Sequence, residues 1–176
     1  MSSQEAEDLI LYQIAAVAGV AAAEGGRLTH VKAHGALYNM AARDPRLAAA
    51  LARAVWTFDR SLAVFAPARS EMAAAAAERG LAVAREAFAD RAYEPDGQLA
   101  SRQKHEAMIL DPDLVVARAV EMVTSHGIVA LGGSRLQIDA DTICVHGDTP
   151  GSDRLAAALR AGFEAAGVAV KAYGQP

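Results

Sequence analysis

The chain has 176 residues, 53% of them apolar, and a net charge of −4 at neutral pH, which suits one globular domain with a sizeable core and excludes a disordered polymer. Lys and Arg are scattered over an acidic balance, so no nucleic-acid footprint is present. A single cysteine, Cys144, excludes an internal disulfide and any multi-cysteine zinc site, and points to a reducing, cytoplasmic setting.

The first residues, MSSQEAEDLI, carry acids where a secretory signal carries bases, and no uncharged apolar stretch reaches the roughly 20 residues of a membrane span; a soluble chain without a membrane partner is expected. Ile10, Ile14, Val17 and Ala21 recur at helical spacing and predict an amphipathic helix over 4–23, ended by Gly25-Gly26. LTHVKA is a short strand. Asp44-Pro45 opens the next helix, with Leu47, Leu51, Val55 and Phe58 on one face. A compact apolar strand follows at 61–66, then an alanine-rich helix stopped by Gly80, then the strand LAVAREAF. Residues 89–111 are polar and irregular and form the longest loop. A helix is predicted over 112–125, closed by Gly127, and DTICVHG contains the next strand. Thr149-Pro150 reads as a cap and first position of a final helix, and VAVKAY as a closing strand. Strand and helix alternate throughout, which predicts an α/β fold with a parallel sheet.

In such folds ligands bind beyond the carboxyl ends of the strands. The polar clusters fall there: Lys32 and His34 after the first strand, Glu86, Asp90, Arg91 and Tyr93 at and after the third, His146 and Asp148 after TICV. Each has a plain structural reading. His34 can bond its own turn, Asn39 can cap a helix, Asp90 and Arg91 can form an ion pair, and Asp148 can favour a helix N-terminus. Together they supply the parts of a polar pocket: a lysine for developing negative charge, histidines to move protons, and carboxylates to orient them. His34, His146 and one carboxylate could make a three-ligand metal site, but no HExxH-type motif supports it and no metal is assigned. His30, His105 and His126 are weak candidates. Cys144, between Ile143 and Val145, reads as a core residue.

HVKAHGALYN, REAFADRAYEPDGQLASR and DTICVHGDTPGS, in this order, resemble the LamB/YcsF family, the A subunits of 5-oxoprolinase, over about residues 8–172. The resemblance implies an irregular (β/α) barrel of the glycoside hydrolase/deacetylase type. It also implies ATP as co-substrate, 5-oxoproline as substrate, L-glutamate as product, and B and C subunits as partners. No GxxxxGK[ST] phosphate loop is present. The family's N-terminal motifs DLGE, GFHAGD and GAHPGYPD have no counterpart, so the chain reads as a single domain, 1–176, matching the C-terminal two-thirds of the barrel. The barrel is expected to be incomplete at its first strands, with an open sheet edge that can pair with another chain and allow a homo-oligomer. Ala33 stands where the family has proline, and KHEAM replaces a Pro-Gly-like stretch, so His105 and Glu106 inherit no role.

Carried over by residue, the resemblance assigns catalysis to Lys32, His34, His146 and Asp148. It assigns substrate binding to Tyr38, Asn39, Glu86, Asp90, Arg91, Tyr93 and Arg102. In this scheme Lys32 and Arg91 hold the carboxylate or lactam oxygen, and His34 or His146 moves the proton, oriented by Asp148 or Asp90. The alternatives are a metal-dependent amide or deacetylase-type hydrolase working without partners, and a non-catalytic scaffold.

Overall fold

In a computed structural model, which describes residues 2–101, 103–147 and 150–173, most helices begin where the sequence places a cap. Ser2 and Glu5 form a capping box at the head of α1 (Ser3–Ala23). Asp44 accepts from the Arg46 N–H ahead of α3 (Pro45–Phe58), Ser70 caps α4 (Glu71–Glu78), and Asp111 accepts from the Asp113 and Leu114 N–H groups at the start of α5 (Pro112–Ser125). Proline opens both α3 and α5, where its missing N–H costs nothing.

The chain divides into two compact units, one ending at Arg85 and the other starting at Glu86. In the first, β1 (His30–Lys32) pairs in parallel with β2 (Ala63–Pro67), His30 opposite Ala63 and Lys32 opposite Phe65. β2 is flanked on its other side by β3 (Val83–Phe88). A short helix, α2 (Gly35–Ala41), follows β1 directly; it was not expected, because its seven residues show less than two turns of periodicity. Alanines 48, 50, 52 and 54 are wholly buried on α3, which lets α1 and α4 pack closely on it. Leu51, Val55, Leu62, Val64 and Met72 fill the interior of this unit.

By length and composition α1 could cross a membrane. Here its Ala6, Ile10 and Ile14 edge is buried, and Glu7 accepts from Arg53 Nε of α3 at 2.6 Å, which ties the helix to its own unit.

The second unit holds the end of β3, the loop that follows it, α5, an antiparallel hairpin of β4 (Gly127–Val129) and β5 (Arg135–Gln137), then β6 (Thr142–Cys144) and α6 (Ser152–Ala165). The hairpin breaks the strand-helix alternation expected from the sequence. Gly132 and Gly133, both at positive φ, make its turn. The α5 C-cap is His126, a non-glycine residue in the left-handed region at φ 50° and within 3.3 Å of Asp139, while Gly127 already belongs to β4. Two other expectations fail. α6 starts two residues beyond Pro150, with Gly151 in the left-handed region as its N-cap; Thr149 lies outside the described residues. Residues 168–173 form no strand, since alternating apolar residues need a hydrogen-bonded neighbour, and Val168 instead packs beside Phe163.

α5 and α6 meet at Gly162, where an added Cβ would lie 2.5 Å from Val116 Cγ1. Helix propensity alone favours alanine over glycine by about 1 kcal/mol. The clash with a stiff β-branched side chain outweighs it, so Gly162→Ala is expected to destabilise by about 1–3 kcal/mol in urea denaturation. A gain in stability would show that the two helices separate easily.

Candidate functional site

Strand register builds the polar centre of the second unit. β3 and β6 are parallel, with Glu86 opposite Thr142 and Phe88 opposite Cys144. Side chains alternate along strands, so two residues further on Asp90 and His146 leave neighbouring strands at the same level. Asp90 Oδ2 and His146 Nδ1 are 3.0 Å apart. A carboxylate can only accept, so Nδ1 carries the proton and Nε2 keeps the lone pair in the neutral ring. The side chains are 13% and 25% exposed, so the pair is shielded yet open to a small molecule. The Phe88 ring lies against the imidazole at 5.8 Å between centroids.

Beside the pair is a recess of about 90 Å³, lined among others by Asp90, His146, Ile109, Pro112 and Ser152. Ser152, in the first turn of α6, donates its hydroxyl to the Gly147 carbonyl and so ties the loop after His146 to the helix. Asp90 Oδ1 is buried and has no hydrogen-bond partner among the described residues. A buried acceptor in that state is costly unless a bound molecule or water satisfies it.

The rest of the loop is organised by buried polar groups. Tyr93 is buried, and its hydroxyl accepts from the Phe88 N–H at 2.9 Å. Burial pushes the phenol well above its usual value near 10. Arg91 is also buried and donates from Nη2 to the Ala100 carbonyl at 2.6 Å. Isolated bridges join Arg91 to Met108 and Tyr93 to Leu99, and Lys104 Nζ meets Glu94 Oε1 at 2.6 Å, so the long loop is folded on itself. Glu86 is buried at the end of β3. Arg118 of α5 reaches back to donate from Nε to the Ala89 carbonyl at 3.3 Å and from Nη2 to the Arg91 carbonyl at 3.2 Å. Burial lowers its pKa from the ordinary arginine value, partly offset by Tyr93 and Glu121.

In the first unit, Lys32 Nζ sits 5.8 Å from the centre of the buried Tyr38 ring. Lys32 and His34 line a groove of about 510 Å³ whose other walls include Ile10, Ile14, Val17 and Leu37. His34 is the exposed N-cap of α2 and makes no side-chain capping bond, and Asn39 donates to the Gly35 carbonyl inside the same helix rather than capping the next. His30 stacks on Phe65 at 4.1 Å. Asp148 and Arg102 lie outside the described residues. The first unit thus brings together Lys32, His34 and Tyr38, and the second Asp90 and His146. Among the described residues no group of three or more His, Cys, Asp or Glu side chains is placed to hold a metal.

The profile of the LamB/YcsF family matches residues 1–176. The chain belongs to this family. A protein of Chloroflexus aggregans, named as the A subunit of 5-oxoprolinase, is 50% identical over 171 residues, covering 97% of this chain and 68% of the relative. One of the same name from Heliobacterium modesticaldum is 52% identical over 168 residues, covering 96% of this chain and 66% of the relative. The crystal structure of the lactam utilization protein from Thermus thermophilus superposes with a TM-score of 0.92 at 40% identity, covering 98% of this chain and 69% of that one. The chain therefore spans about two thirds of the length of these LamB/YcsF relatives.

Arg118 is the polar residue of the second unit that sequence reasoning missed. Its position, next to the buried Ala119 and three residues after the buried Val115, places it at the border of the packed face of α5.

Tyr93 generates a stability prediction. Tyr93→Phe leaves the buried Phe88 N–H without its acceptor and is expected to cost about 1–3 kcal/mol near pH 7. The folded phenol holds its proton more tightly than the unfolded one. Its stabilisation is therefore complete below about pH 10 and is lost as pH rises toward the raised folded value. Urea denaturation across that alkaline range should show a decline in the wild type that is shallower in Tyr93→Phe. Equal slopes would contradict it.

Proposed function

We propose that this chain is the A subunit of an ATP-dependent 5-oxoprolinase, opening the lactam of 5-oxoproline to L-glutamate together with B and C subunits in the cytoplasm. The reading rests on one observation above all: the Asp90–His146 pair stands at the ends of parallel strands in a chain half identical to proteins named as 5-oxoprolinase A subunits. We assign the fold as part of an irregular (β/α) barrel, on the strength of the Thermus neighbour.

An unstrained lactam is a poor electrophile, which gives ATP its chemical purpose. Transfer of the γ-phosphoryl group to the amide oxygen makes the carbonyl carbon open to attack and converts its oxygen into a leaving group. His146 Nε2, with Nδ1 held by Asp90, takes a proton from the water that adds to this carbon. The same nitrogen returns a proton to the lactam nitrogen as the C–N bond breaks. A second water hydrolyses the resulting acyl phosphate, releasing inorganic phosphate and the new carboxylate of glutamate.

For Lys32 and His34 we propose a part in substrate handling, because they stand in the family motif HVKAHGALYN and share one groove. Lys32, against Tyr38, is a fixed cation suited to a carboxylate or a developing oxyanion. Arg91, Tyr93 and Glu86 are buried, and we assign them to holding the loop that carries Asp90.

In a three-subunit reaction, His146→Ala is expected to lower turnover by roughly 10²–10⁴-fold, the usual worth of general acid–base catalysis. Lys32→Ala is expected to lower kcat/KM for 5-oxoproline. Wild-type turnover of both variants, with ATP hydrolysis still coupled to glutamate formation, would refute the assignment.

A further inference from the structure

We infer that Arg118 is a positioning residue for the acid–base pair, acting by clamping the peptide carbonyls on both sides of Asp90. This deepens the reading of Asp90–His146 given above and rests on it for its catalytic consequence, though not for its structural one.

Asp90 lies beyond the last β3 residue, Phe88, where ladder hydrogen bonds no longer fix the backbone. Three bonds replace them. Arg118 Nε donates to the Ala89 carbonyl at 3.3 Å, Arg118 Nη2 donates to the Arg91 carbonyl at 3.2 Å, and the Ile109 N–H donates to the Asp90 carbonyl at 2.9 Å. The guanidinium thus spans residues 89 and 91: it holds the peptide plane that enters Asp90 and the plane that follows Arg91, while the Ile109 N–H holds the plane between them. Those planes set the direction of its Cα–Cβ bond, and so where Oδ2 meets His146 Nδ1. Only a planar fork with donors on separate nitrogens makes both bonds at once; a lysine ammonium offers one centre and reaches one carbonyl well.

The arginine comes from a rigid source. Its neighbours Val115 and Ala119 are buried against Ala89, Leu159 and Phe163, so the base of the clamp is anchored in the α5–α6 core. Its charge is half-buried and, among the described residues, bonded to backbone carbonyls and not to a carboxylate, so its desolvation is only partly offset, by Tyr93 and Glu121. Fixing the carboxylate is the return that the geometry offers.

The test reads His146 directly and does not need turnover. In ¹⁵N-labelled protein at the alkaline end of the imidazole titration, wild type is expected to show His146 with its proton on Nδ1. Arg118→Gln should convert this signal to a mixture of tautomers, and Arg118→Lys should retain part of the bias. In the three-subunit reaction kcat should fall roughly tenfold to a hundredfold with KM little changed, as for a displaced catalytic group. Circular dichroism and urea denaturation identify any variant that loses its fold; Arg118→Lys then serves as the milder probe. Folded Arg118→Gln and Arg118→Lys proteins with the wild-type His146 tautomer would overturn the inference. A changed tautomer with unaltered kcat would leave the clamp standing and instead refute His146 as the acid–base residue.

Discussion

The hydrogen bond between Asp90 and His146 is the constraint on which the functional account depends, and strand register makes it. Two parallel strands that place Phe88 opposite Cys144 bring residues two positions further along to one level. A one-residue slip would turn one of the two side chains to the opposite face of the sheet. The packing of the second unit guards against that slip. Ala87 packs in the cluster around Met122 and Ile128, Ala89 in that of Val115, Leu159 and Phe163, and Ile143, opposite Ala87, packs against both. The polar pair is therefore placed by apolar burial, not by its own attraction.

Around the pair, buried polar groups do what regular structure cannot. Beyond Phe88 the chain leaves the sheet, and its direction is carried by the Tyr93 hydroxyl, the Arg91 and Arg118 guanidinium groups and two isolated bridges. These bonds are strong where water is excluded and costly when one partner is lost. The loop can thus hold the Asp90 carboxylate with a precision that loops seldom have. The first unit is built differently: closely packed alanines on α3 bring helices near one another, and its polar residues lie at the end of β1.

Much of the fold was legible because caps are local. Asp44-Pro45 announces α3, and the bounds of α5 match the sequence reading. The hairpin of β4 and β5 was missed although GIVA-LGGS-RLQ carries the paired glycines of a tight turn, because each strand has only three residues. Thr149-Pro150 misplaced the start of α6, since a cap signal names a type of turn and not its register. In the site, Asp90 and His146 were visible as polar ends of apolar strands. Which acid served which histidine was not, because it depends on β6 lying beside β3, a pairing across more than fifty residues. Arg118 was invisible for a related reason: an arginine in a helix reads as solvated until a loop from elsewhere in the chain is laid against it.

The central claim is that Asp90 and His146 act as one unit, and a double-mutant cycle on kcat/KM measures this most directly. Asp90→Asn, His146→Ala and the double variant would be compared with wild type in the three-subunit reaction. The account predicts that Asp90→Asn costs much in the wild-type background and almost nothing once His146 is gone. Independent, additive losses would contradict it.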